Sequence, residues 1–311
     1  MTDLTLGRLT DRSQGMLCAV IAVLLWATVG VIYKLTLNRL DSFTVTVNVG
    51  LIATFVLGIN VLAKSKIDIL VQEFRRQPWF FCIAGILGTG MQQVFYLKGF
   101  QLLATSQVTI LFYLYPLLMI VLSAILFKER VSGRSILLIL IGILGITLAI
   151  ADQQSLQSSW TGGTIATLLA AVSWALFSLL IKHRTFDADC GMLLFNLFGI
   201  LFLIGMIPAL GWALSLKVTE WLGMIYLALF PTAIAFILWQ QALHLASTTI
   251  CSSIALLTPL ISLFLAIVTL HESILLVQWI GLIILLGAVL LNINHLTRLA
   301  SENKTASKES Q

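Results

Sequence analysis

Charge is the scarcest property of this 311-residue sequence. Charged residues make up 10% of it, against roughly 25% in an ordinary soluble domain. Hydrophobic residues make up 59%, and the mean hydropathy is +1.03. A water-soluble fold of this make-up would leave large apolar patches exposed and would aggregate. Cysteine is equally sparse. The four present, Cys18, Cys82, Cys190 and Cys251, lie within or at the edge of apolar stretches, without the paired spacing of a zinc site. No disulfide, metal or other cofactor is expected. The thirteen acidic residues all fall in tails, in loops or at the ends of apolar runs. His183, His244, His271 and His295 sit near such ends as well. A proton relay, or hydrolytic or transfer chemistry inside a membrane, would place such groups in mid-span. No nucleotide-binding loop is present either, so the chain does not read as an enzyme.

What is present is a series of apolar runs about 20 residues long, the length that crosses the hydrocarbon core. The expected fold class is an all-α polytopic membrane protein with ten transmembrane helices, numbered here as spans 1 to 10. They fall at 15–37, 44–63, 79–98, 104–127, 134–151, 162–182, 190–214, 221–243, 248–270 and 275–294. Residues 1–14 form a polar N-terminal tail, and residues 295–311 read as a polar, disordered tail. The first run lacks a small-residue cleavage site and is too long for a signal-peptide core, so it reads as an uncleaved span.

The formal charge of +5 orients the chain. With the N-terminus in the cytoplasm, only Lys34, Arg39, Lys98 and Lys217 of the 18 basic residues lie outside, which favours both termini inside. The basic residues form no stripe with interleaved aromatics, so nucleic acid is not an expected partner. The expected partners are the bilayer and a small-molecule substrate. Between spans 2 and 3, Ile67, Leu70, Val71 and Phe74 recur at helical spacing among Lys64, Lys66, Arg75 and Arg76, predicting a helix lying flat on the cytoplasmic face. Pro78 can open span 3, because the first helical position needs no backbone donor.

The chain also repeats itself. Gly15, Ala22, Trp26, Ala27 and Lys34 match Gly163, Ala170, Trp174, Ala175 and Lys182 at an offset of 148 residues. Thr105, Pro116, Leu117 and Glu129 match Thr248, Pro259, Leu260 and Glu272 at an offset of 143. The repeats occupy residues 15–151 and 162–294, joined by a loop at 152–161. A unit of five spans, an odd number, inserts its second copy upside down, so the halves are inverted about an axis in the membrane plane. Inverted halves can exchange conformations and expose a shared site to either side in turn.

These Trp-Ala pairs, the paired lysines and prolines, and the Phe127-Lys128-Glu129 and Leu270-His271-Glu272 span ends resemble the drug/metabolite transporter superfamily, in its ten-helix EamA-type branch. The resemblance covers roughly residues 15 to 294. His271-Glu272 departs from the Gly-Glu or Lys-Glu usual there. The resemblance implies transport of small metabolites, often export of amino acids or related compounds, in a bacterial inner membrane. It also implies a cavity lined by spans 3, 4, 8 and 9 with spans 1 and 6.

Polar groups within spans are costly unless partnered, which makes them candidates for a cavity wall. Gln92, Gln93 and Tyr96 cluster in span 3, and Trp239, Gln240 and Gln241 stand at the matching place in span 8. Tyr113 and Tyr115 precede Pro116 in span 4, and Trp174 lies in span 6. The expected substrate-binding residues are Gln92, Gln93, Tyr96, Tyr113, Tyr115, Trp174, Trp239 and Gln240. The alternative for each glutamine is a hydrogen bond across helices, and for each aromatic ordinary packing, which is favoured for Trp26. Lys34 and Lys182 read as cations snorkelling to the headgroups. Glu129 and Glu272 read as caps for spans 5 and 10.

The sequence therefore predicts a secondary carrier of a small polar or amphipathic metabolite, facilitated rather than strongly proton-coupled, and functional as a single chain. Proton-coupled efflux is the alternative within that class. A non-transporting scaffold or channel-like subunit is the alternative outside it.

Overall fold

The computed structural model describes residues 11–37, 39–128, 131–149, 158–182, 184–212, 216–246 and 248–309. All ten expected spans are helices, the conformation that satisfies backbone N–H and C=O groups within one segment where no water is at hand. Spans 1 to 4 are Asp11–Leu37, Ser42–Ala63, Pro78–Leu102 and Thr105–Phe127. Spans 5 to 8 are Gly133–Ala149, Ser158–Lys182, Ala188–Leu210 and Val218–Leu245. Span 9 is Thr248–Ala255 continued by Leu257–Leu270, and span 10 is Leu276–Glu309. Among the described residues eight helices are long and apolar enough to cross a bilayer, and Gly133–Leu148 and Leu276–Asn292 are shorter apolar helices.

Packing follows the repeat. Span 1 lies along span 8, and its counterpart, span 6, lies along span 3. Spans 2 and 7, 4 and 9, and 5 and 10 each pack against their own counterparts, as a two-fold relation between inverted halves requires. Local features recur as well. Asp41 accepts the Thr44 N–H at 2.8 Å to cap span 2, and Asp187 accepts the Cys190 N–H at 3.1 Å to cap span 7. Spans 3 and 8 each carry a π-helical stretch, Ile86–Met91 and Ala228–Ile234.

The prolines break spans 4 and 9 in the same place. Pro116 has no N–H for the Phe112 carbonyl, and the helix is interrupted between Thr105–Phe112 and Tyr115–Phe127. Pro259 likewise leaves the Ala255 carbonyl without its helical donor. The Tyr113 hydroxyl takes up that carbonyl at 3.1 Å, tying the two breaks together.

Spans 5 and 10 approach most closely at glycine. A Cβ on Gly145 would stand 2.7 Å from the Gly281 carbonyl oxygen and 2.8 Å from the Leu285 amide nitrogen. Farther along the same pair, the Ser135 hydroxyl donates to the Asn292 side-chain oxygen at 2.9 Å.

The segment between spans 2 and 3 forms the expected helix, Ile67–Arg76, and Phe74 stacks on Phe198 of span 7 with ring centroids 5.7 Å apart. Ion pairs pin its start. Lys66 Nζ contacts the carboxylates of both Asp187 and Asp189, and Lys64 Nζ reaches Asp189 at 2.8 Å. Hydrogen bonds to Asp187 and Asp189 push the Lys66 ammonium well above its ordinary pKa. Burial acts to raise the Asp187 pKa, but the Lys66 ammonium and the Cys190 N–H overcome it and hold the carboxyl below the usual range. A depressed carboxylate contributes stability that is present at neutral pH and lost as pH falls through its folded pKa, whereas the raised lysine loses its contribution only at strongly alkaline pH. Thermal unfolding should therefore show an acid limb below about pH 4. Lys66→Met should lower the melting temperature at pH 7 and flatten that limb; an unchanged limb would remove the cluster as its cause.

Three expectations need correction. The Glu272 carboxylate accepts the Thr105 N–H at 2.7 Å, the Ser106 N–H at 3.0 Å and the Ser106 hydroxyl at 2.9 Å, so it caps span 4 rather than span 10. His271, at φ 54°, turns the chain in a left-handed conformation just before it. The start of span 10 is already served, because the Gln278 side chain accepts the Leu275 N–H at 2.9 Å. Glu129 lies outside the described residues. The stretch from 295 read as a disordered tail instead continues span 10 as helix to Glu309. Its Leu, Ala, Arg, Glu and Lys residues are strong helix formers, and a helix already running is extended at little cost. Span 6 begins at Ser158, inside the stretch expected to be a loop.

Candidate functional site

Between the two repeats lies a cavity of about 680 Å³. All eight residues singled out from the sequence line it: Gln92, Gln93 and Tyr96 from span 3, Tyr113 and Tyr115 from span 4, Trp174 from span 6, and Trp239 and Gln240 from span 8. Gln241 does not. One residue further along a helix is rotated by about 100°, and Gln241 instead accepts from the Cys18 thiol of span 1 at 3.8 Å.

Two aromatic groups form much of the wall. Trp26 packs against Phe236 and Trp239 at 5.3 Å between centroids in each case, and Trp174 lies 5.9 Å from Phe236 and 5.2 Å from Phe177. Tyr96 of span 3 sits 4.5 Å from Phe112 of span 4, with Tyr115 5.5 Å from Phe112 and 5.7 Å from Tyr113. These tilted and edge-on arrangements are the favoured geometries of π systems. Trp26, for which packing was favoured, is also a wall residue, and its indole N–H donates to the Pro231 carbonyl at 3.0 Å.

The polar wall groups divide into two kinds. Several are held by the protein. The Thr89 hydroxyl donates to the Phe195 carbonyl at 2.6 Å, the Ser178 hydroxyl to Trp174 at 2.7 Å, and the Asn196 amide to Met192 at 3.0 Å. Gln92, Gln93 and Gln240 are different, since none makes a side-chain hydrogen bond among the described residues. The reading of these amides as glue between helices finds no partner there. An amide inside a membrane protein that bonds neither backbone nor side chain is satisfied by water or by a solute.

Lys182 is the one charged side chain among the described wall residues, which include no aspartate, glutamate or histidine. The sequence reading set it aside as a snorkelling cation and missed Thr46, Thr89, Ser178 and Thr232; Asn196, whose direction a sequence does not fix, lines the wall as well. Their signal in the sequence is faint, because serine, threonine and single asparagines also satisfy themselves on their own helix.

The cavity is closed at one end. Its wall extends to Val131, Ser135, Lys182 and Phe186 at the end of the bundle that carries the Ile67–Arg76 helix. At the opposite end Tyr33, Leu37, Phe100, Leu103 and Val108 are buried together. There Arg39, from the first repeat, pairs with Glu220, from the second, at 2.7 Å.

Comparison with known proteins agrees with this architecture. The EamA-like transporter family matches residues 13–151 and 161–294, one match for each half. An aromatic amino acid exporter, YddG, of Ancylobacter novellus is 25% identical over 278 residues, covering 83% of this chain and 89% of that protein. A probable amino-acid metabolite efflux pump of Escherichia coli is 25% identical over 56% of this chain and 62% of its own length. An uncharacterised transporter of Bacillus subtilis, YetK, is 26% identical over 92% of this chain and 89% of its own. A crystal structure superposes with a TM-score of 0.66 at 22% identity, over 92% of this chain and 99% of the other, a likeness of fold. Ten helices in two inverted halves, a closed-ended cavity between them and a family match over each half lead to one conclusion: this chain belongs to the EamA-like transporter family.

Proposed function

We propose that this membrane transporter is a secondary carrier exporting an amino acid or related metabolite with an aromatic or other flat apolar portion. One observation carries the reading: three glutamine amides without hydrogen-bond partners among the described residues stand in a cavity walled by tryptophan, tyrosine and phenylalanine. Amides offer both donors and acceptors, so they suit a polar or zwitterionic head, while the rings receive an apolar body by stacking. A sugar phosphate would instead want a cluster of Arg or Lys. The printed names of two relatives, an aromatic amino acid exporter and a probable amino-acid metabolite efflux pump, point the same way.

In this reading the chain works alone in a bacterial inner membrane with both termini cytoplasmic, and the cavity as drawn faces the cytoplasm. Transport is facilitated, because no acid or histidine lines the described wall to carry a proton with the substrate. The test is flux of a metabolite panel in proteoliposomes. Saturable exchange of an aromatic amino acid is the expected result, with no accumulation when a pH gradient alone is imposed. No saturable flux for any amino acid would defeat the substrate reading, and uphill accumulation on a pH gradient would defeat the uncoupled one.

A further inference from the structure

Glu272 does something its sequence position does not announce. It sits in the short connection between spans 9 and 10, in the second repeat, yet its carboxylate holds the first turn of span 4, in the first. Thr105 and Ser106 are buried, and the contact lies at the closed end of the cavity, beside Phe100, Leu103 and Val108. A carboxylate taking two backbone N–H groups and a hydroxyl at a helix N-terminus is a strong, charge-assisted arrangement. Opening that end requires the contact to break or move.

We propose that Glu272 is a latch: on Thr105 and Ser106 it holds one end of the cavity shut, and its release accompanies the opening of that end in the opposite conformation. The proposal rests on the carrier reading, but its test needs no substrate. The latch stabilises one of two exchanging states, so removing it shifts the balance toward the other. A contact that merely supports the fold would loosen both ends together.

The experiment is labelling by a charged maleimide in purified full-length protein whose four native cysteines are replaced by alanine. One reporter, Leu103→Cys, stands at the closed end, and another, Ser178→Cys, stands in the wall of the open half. Glu272→Gln should speed labelling at the first and slow it at the second, on the order of tenfold for loss of a charge-assisted contact. Ser106→Ala, which removes one of the three contacts and spares the carboxylate, should shift both reporters in the direction of Glu272→Gln by a smaller factor and serves if that variant does not fold. Unchanged rates, or both reporters rising together, would overturn the proposal. Failure of amino-acid flux with opposed labelling responses would defeat the substrate reading and leave the latch standing.

Discussion

Gly145→Ala is expected to lower the melting temperature of the purified protein by several degrees, although glycine-to-alanine changes inside helices usually stabilise by about 0.5–1 kcal/mol. The added Cβ would meet two backbone atoms of span 10, the Gly281 carbonyl oxygen and the Leu285 amide nitrogen, both under 3 Å away. No rotamer change relieves a clash with backbone, so the two helices must separate. Overpacking of this kind typically costs about 1–3 kcal/mol, a substantial part of a total stability of about 5–15 kcal/mol. Gly287 supplies the control on the same helix pair, because a Cβ there meets nothing within 4 Å. Gly287→Ala should leave the melting temperature unchanged or raise it. Equal responses at the two positions, followed by tryptophan fluorescence, would show that the close approach does not limit stability.

The second large effect is on flux. Gln93→Ala should reduce amino-acid flux at low substrate concentration by about tenfold, the loss expected of a polar contact to a bound solute, while the melting temperature stays within about 1 °C of the parent. The separation of the two readouts is the point. The Gln93 side chain makes no hydrogen bond among the described residues, so its truncation orphans none of them. Tyr96→Ala should reduce flux at least as much, but with some loss of stability, because Tyr96 also packs 4.7 Å from Phe100 and 4.5 Å from Phe112. Unchanged flux in both variants would remove span 3 from the substrate site while leaving the transporter family untouched.

The ten spans and their inversion were legible in the sequence because both are recorded in spacing, and span length is fixed by bilayer thickness. The cavity wall was legible for a related reason. A glutamine or tyrosine amid leucines is costly anywhere but a polar space, so composition alone located Gln92, Gln93, Tyr96 and Gln240. What failed to show depended on rotation and on contacts between halves. Gln241 differs from Gln240 only in azimuth. Lys182 lies at a span end, where snorkelling and lining a cavity look alike in one dimension. Glu272 was read as a cap, which it is, but the helix it caps lies 167 residues away in sequence, beyond anything local pattern encodes.

The π-helical stretches carry a consequence for how such a site changes over generations. Ile86–Met91 immediately precedes the wall residues Gln92, Gln93 and Tyr96 in span 3, and Ala228–Ile234 ends about one turn before the wall residues Trp239 and Gln240 in span 8. A π turn winds an extra residue into the helix without lengthening the span by a full turn. The widened turn absorbs that residue's rotation of about 100°, so deleting one residue from Ile86–Met91 would restore ordinary winding and leave everything beyond it on its present face. The same deletion in an uninterrupted α-helix would swing the glutamines out of the wall. The π turns are thus places where spans 3 and 8 can gain or lose a residue with the cavity wall and the bundle both left standing.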